Sequence, residues 1–257
     1  MTSSLYILFF SVITTGVLAD FFNKQINSLN KHIIPFSISF VLALIFTHIL
    51  PELYHTPSKS IGIFIVIGFI LQIVLELLSK GIEHGHVHAP IEKKGWNLLI
   101  PLMIGLSLHS FVEGMPLASL DEPLNHALNH THSHASHSHN HNESTGSIYF
   151  MMIIVHKLPI AAILMVFFIK HIHLRWKRYA LLCFFALTAP IGALIGTELS
   201  NLNMNENLIN VFMAVSTGML LHIATLLVFE KHHELKDKWV NIILISSGLA
   251  LGILVYS

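Results

Sequence analysis

Apolar residues run along this chain in blocks of about twenty, the length that crosses the hydrocarbon core of a bilayer as a helix. Eight blocks can be read: 4–22, 33–53, 61–79, 97–119, 147–169, 179–199, 208–229 and 239–256. The first two are the most interrupted, by Thr, Ser, Pro and His. The pattern predicts an all-α integral membrane protein, a single polytopic domain over residues 1–257 with eight transmembrane helices. The opening stretch, MTSSLYILFFSVITTGVLAD, has no Lys or Arg ahead of its apolar part, which runs on to Phe22. It therefore reads as a retained span rather than a cleaved leader.

The polar segments between the blocks carry the orientation. Lys24 and Lys31 fall between spans 1 and 2. Lys80, Lys93 and Lys94 fall between spans 3 and 4, and Lys170, Arg175, Lys177 and Arg178 between spans 5 and 6. Lys231, Lys236 and Lys238 fall between spans 7 and 8. These are twelve of the 14 basic residues; of the others, Lys59 is on the opposite side and Lys157 is inside a span. Basic loops stay cytoplasmic, so both termini are expected outside. The segment 121–146, between spans 4 and 5, is then extracytoplasmic. It is rich in His, Asn and Ser, too polar to bury a core, and expected to be disordered.

Composition sharpens this. Hydrophobic residues make up 53% of the chain, charged ones only 11%, and the mean hydropathy is +0.68; soluble domains carry about 25% charged residues. Net charge is zero with histidine neutral, which gives no reason to expect a nucleic-acid partner. The lone cysteine, Cys183, excludes an intrachain disulfide and a thiolate cluster. Histidine is abundant, with 20 residues against 14 Lys and Arg. Seven lie in the 121–146 loop (His126, His130, His132, His134, His137, His139 and His141), and His84, His86 and His88 follow span 3. Such tracts suit loose metal capture, and a dispensable solvated tether is the alternative.

Two polar intrusions break the apolar pattern at mid-span. Span 4 contains His109-Ser110-Phe111-Val112-Glu113-Gly114, and span 5 contains His156-Lys157 followed by Pro159. His109 and Glu113 are four apart and share a helix face. A charged carboxylate at mid-helix costs at least ~2.5 kcal/mol in a bilayer. Because the two spans run in opposite directions, His109 and His156 fall at similar depth, near the midplane. Two imidazoles and a carboxylate suit Zn²⁺, and Fe²⁺, Mn²⁺ or Cd²⁺ also. Pro101, Gly105, Gly114 and Pro116 in span 4, and Pro159 in span 5, interrupt the helices there, as happens at transporter ion sites. Taken one at a time, each histidine could equally hydrogen-bond a neighbouring helix. A metalloprotease lacks its H-E-x-x-H here, and no H-x-x-H-H cluster points to a di-iron oxidase. A metal exporter of another family, or a membrane haem protein with paired axial histidines, remain as alternatives.

HSFVEG in span 4 followed by HKLPIA in span 5 resembles the paired signature of ZIP (Zrt/Irt-like) divalent-metal transporters. Thr47-His48-Ile49-Leu50-Pro51-Glu52 in span 2 and Ala189-Pro190-Ile191-Gly192 in span 6 resemble shorter motifs of that family. The resemblance implies a ZIP-like bundle and no enzymatic activity. It implies import of a divalent metal, zinc foremost, into the cytoplasm by alternating access, with a transport unit moving against a scaffold. His109, Glu113 and His156 would be the ligands. Ser110 stands where two-metal relatives carry Asn, and Lys157 where they carry a second-site acid, so the likeness is to a one-metal branch. A homodimer is common among relatives. The retained first span and short loops fit a plasma or bacterial inner membrane, with a eukaryotic organelle membrane as the alternative.

The chain departs from the pattern at Ile160 and Leu227, where relatives often coordinate. His222 and Glu230, eight apart and so roughly on one face, are candidates for substitute ligands, for positions beside the ligands or for the exit path; the alternative is a packing role for His222 and a membrane-edge one for Glu230. His48 and Glu52, at i and i+4 near the outer end of span 2, and Glu76, near the inner end of span 3, are candidate stations along a path. Asp20 is read as ending span 1 and Glu198 as an interfacial residue at the end of span 6.

Overall fold

A computed structural model describes residues 2–55, 60–79, 96–119, 141–203, 207–229 and 235–255. Every apolar block is a helix. These are α1 (Thr2–Phe21), α2 (Asn23–Leu44), α3 (Ile61–Ser79), α4 (Trp96–Gly114), α5 (His141–His171), α6 (Arg175–Asn203), α7 (Asn207–Phe229) and α8 (Leu235–Leu254). Among the described residues six are long and apolar enough to cross a membrane, and α3 and α8 contain the shorter apolar stretches Ile61–Leu77 and Trp239–Leu254. The helices overrun the apolar windows because backbone hydrogen bonding continues where hydropathy stops. Residues 141–146, expected in the His-rich loop, are thus helical and open α5.

Two helices change pitch, each at a proline. Beyond α2 the chain passes through a π-helical turn, Ile45–Ile49, into a last helical segment, Leu50–His55. Pro51 has no N–H for the Thr47 carbonyl, and its ring crowds that carbonyl. The Leu50 N–H instead reaches back five residues to the Ile45 carbonyl. The wider turn alters the i, i+4 register expected for His48 and Glu52. At the end of α4 the chain tightens into a 3₁₀ turn, Met115–Ser119. There the donor three residues beyond Glu113 would be Pro116, which has none.

Small residues set the closest packing. A methyl group added at Gly114 would strike the Ala189 carbonyl, and one at Gly192 the Phe111 carbonyl, so α4 and α6 touch backbone to backbone. Gly68 against Val215 and Gly218 against Ile65 do the same for α3 and α7. Gly248 lies against Phe36 and Ser39, joining α8 to α2. With little hydrophobic drive between helices in lipid, such close van der Waals contact is what holds a bundle together. Leu106, Phe168, Leu182 and Phe185 belong to an apolar cluster uniting α1, α4, α5 and α6. Ile63, Val66, Ile67, Ile70 and Val74 of α3 are exposed, a surface suited to acyl chains.

Asp20 does more than end α1. It accepts a hydrogen bond from the Tyr179 hydroxyl at 2.8 Å and faces Arg178 at 3.7 Å, tying the end of α1 to the start of α6.

Candidate metal centre

The two polar intrusions meet. Glu113 Oε1 of α4 lies 2.8 Å from His109 Nε2 on the same helix and 2.8 Å from His156 Nε2 on α5. One ligand atom from each of the three residues lies within 4.8 Å of the others, and all three residues are buried. Glu113 Oε1 and His156 Nε2 meet no partner in hydrogen-bond geometry, although they are close. Imidazole nitrogens and a carboxylate oxygen converging in this way offer the lone pairs that a cation requires. Tetrahedral Zn²⁺ with bonds of ~2.05 Å separates its ligand atoms by about 3.3 Å. The cluster would need to open by about half an ångström to admit it.

Lys157 occupies the other side of the same carboxylate. Its ammonium donates to Glu113 Oε2 at 2.9 Å, and both side chains are buried. Glu113 therefore turns one oxygen to the imidazoles and the other to a fixed cation.

Each histidine is oriented through its second nitrogen. His156 Nδ1–H donates to the Met152 carbonyl of its own helix at 2.9 Å, so in the neutral ring Nε2 is the nitrogen with the lone pair. His109 Nδ1 is 2.8 Å from Gln72 Oε1 on α3. The carboxylate between the two Nε2 atoms also leaves no room for a porphyrin, which argues against paired axial haem ligation.

The site is anchored at its rim. The Tyr149 hydroxyl donates to the Glu113 carbonyl at 3.1 Å and lies 2.5 Å from Ser216 Oγ, linking α5, α4 and α7. It supplies the carbonyl with a donor where Pro116 cannot. Ser110 is buried and accepts from Thr188 Oγ1 of α6 at 2.8 Å.

The other expected residues are distributed as follows. His222 is not in the cluster; its Nε2 is 2.7 Å from Glu76 Oε2, and its ring meets Phe69 edge-on at 4.8 Å. Two residues read separately as candidates, one on α3 and one on α7, thus form a pair. His48 donates from Nδ1 to Thr47 Oγ1 at 2.7 Å, in the π-helical turn, and Glu52 is half-buried in the segment beyond it. Ile160, where relatives often coordinate, is buried beside His156 in a narrow apolar cavity that also touches Ile38, Pro159 and Ile223. Glu230, His84, His86, His88, His126, His130, His132, His134, His137 and His139 lie outside the described residues, and His141 is the first residue of α5. Gln72, Tyr149, Thr188 and Ser216 were not singled out by the sequence. Gln72 had a signal, being an amide in an apolar run four residues before Glu76 and so on the same face.

No curated protein matches the chain. The ZIP zinc transporter family model matches residues 97–257, which span α4 to α8 and include His109, Glu113 and His156. The family is one of membrane metal transporters rather than enzymes. With that match over well over half its length, the chain belongs to the ZIP zinc transporter family.

Proposed function

We propose that this protein imports a divalent metal, zinc foremost, into the cytoplasm through one intramembrane site made by His109, Glu113 and His156. The observation that carries the reading is the convergence of the two Nε2 atoms on Glu113 Oε1 at 2.8 Å inside a buried cluster. Two imidazole nitrogens and a carboxylate oxygen favour Zn²⁺, with Fe²⁺, Mn²⁺ and Cd²⁺ also accommodated. Three protein ligands leave a coordination position for water, which suits a passing ion better than a structural one.

Lys157 takes the role of a second cation. Its ammonium already neutralises the outer oxygen of Glu113, so a second dication there would meet a like charge. The site therefore holds one metal. The change of helical pitch at Pro116, three residues beyond Glu113, and the one before Pro51 support alternating access by movement of packed helices. His48 and Glu52 would serve the outer mouth, and the Glu76–His222 pair and Glu230 the cytoplasmic path. The histidine tracts at 84–88 and 126–141 would collect metal. The concentration of basic residues in alternate loops supports termini outside; import as the working direction rests on the family alone. A homodimer in a plasma or bacterial inner membrane is the assembly we assign.

The test is metal uptake into proteoliposomes loaded with a zinc-responsive dye, comparing the parent with His109→Ala and Glu113→Ala at equal insertion. Uptake by the parent and its loss in both variants is expected. A parent without any metal-dependent signal would sink the transport reading.

A further inference from the structure

Resting on the reading of His109 as a ligand, we infer that Gln72 of α3 is a positioning residue: it selects the His109 tautomer that presents Nε2 to the metal, and does so from a neighbouring helix. Gln72 is fully buried in an otherwise apolar stretch, Ile70 to Leu75. A buried amide is costly unless its polar atoms are matched. Its Oε1 is 2.8 Å from His109 Nδ1. An imidazole offers a metal only the nitrogen that carries no proton, and the hydrogen bond at the other nitrogen decides which that is. With the Gln72 carbonyl oxygen accepting from Nδ1–H, the lone pair of Nε2, which faces Glu113 Oε1 at 2.8 Å, is left for the metal.

The comparison with His156 shows why the location of Gln72 matters. His156 is oriented by the Met152 carbonyl, one turn back on its own helix, so ligand and orienter move together. His109 is oriented from α3. That helix is locked backbone to backbone against α7 through Gly68 and Gly218, whereas α4 is locked against α6 through Gly114 and Gly192. The Gln72–His109 hydrogen bond crosses between these two packed pairs. A relative shift of the pairs withdraws the acceptor from His109 while His156 keeps its own. Affinity for the metal is thereby tied to where α3 stands beside α4, which gives release a structural cause.

The test uses the full chain in nanodiscs with Gln72→Met, which keeps size and loses the acceptor, Gln72→Asn, which withdraws the amide oxygen by one methylene, and Gln72→Glu, which keeps an acceptor. Histidine ¹⁵N spectra of the metal-free protein, assigned with His109→Ala, report the tautomer, and competition with a zinc chelator reports affinity. In the parent and Gln72→Glu, His109 is expected as the Nδ1–H tautomer with similar zinc affinity. In Gln72→Met and Gln72→Asn, mixed tautomers and a loss of roughly 10–100-fold in affinity are expected. Unchanged tautomer and affinity in Gln72→Met, or in Gln72→Asn should the methionine variant not fold, would overturn the proposal while leaving the ligand reading intact. Undiminished zinc binding in His109→Ala would instead overturn the ligand reading, and the role of Gln72 with it.

Discussion

Replacing Lys157 with Met probes the electrostatic balance of the site. Lys157 Nζ is 2.9 Å from Glu113 Oε2, and neither residue has appreciable solvent contact. At an effective dielectric near 20, opposite unit charges at that separation attract by roughly 6 kcal/mol. Desolvation of the ammonium offsets part of that attraction. Removing one member of a buried pair costs about 3–5 kcal/mol, because the other charge is left uncompensated. At about 2–4 °C per kcal/mol for a chain of this size, metal-free Lys157→Met should melt roughly 6–20 °C below the parent. A bound dication restores the missing positive charge and no longer faces the ammonium. Zinc should therefore raise the melting temperature more in Lys157→Met than in the parent. The assay is thermal unfolding in detergent with chelator and with zinc. A metal-free variant that melts with the parent, or a smaller zinc-dependent rise in the variant, would refute the balance described for Glu113.

Further changes probe other parts of the site. Lys157→Glu replaces the fixed cation with a ligand, and metal analysis of the purified protein should move from one zinc per chain to two; one in both counts against Lys157 as the second cation. Tyr149→Phe removes the donor to the Glu113 carbonyl and the contact with Ser216, and should cost about 1–3 kcal/mol in unfolding measurements for the group left unmatched. No loss would mean that another donor serves that carbonyl. Gly114→Ala places a methyl against the Ala189 carbonyl, and the forced separation of α4 and α6 should cost about 1–3 kcal/mol and weaken zinc binding measured by chelator competition. A variant as stable as the parent would show that the two helices can part freely.

Much of this was legible in the sequence, for physical reasons. A membrane span must be long and apolar, so hydropathy alone placed all eight helices. A charge in hydrocarbon must be matched, so His109, Glu113, His156 and Lys157 stood out from their surroundings, and opposed span directions put them at one depth. What the sequence leaves hidden depends on partners far apart along the chain. Gln72, Tyr149 and Ser216 are single polar groups in apolar helices, and nothing local says which helix each one meets. Glu76 and His222 stand out for their polarity, but pairing them requires knowing that α3 packs on α7 through Gly68 and Gly218. The π-helical turn before Pro51 redirects His48 in a way that i, i+4 counting does not anticipate.

The central claim is that His109, Glu113 and His156 together hold one metal ion. Zinc K-edge absorption on the purified protein, with zinc counted per chain, tests it most directly. The account predicts a single zinc whose shell contains two imidazole nitrogens and a carboxylate oxygen, with one imidazole contribution lost in His156→Ala. Two zinc ions per chain, or a shell unchanged by His156→Ala, would contradict it.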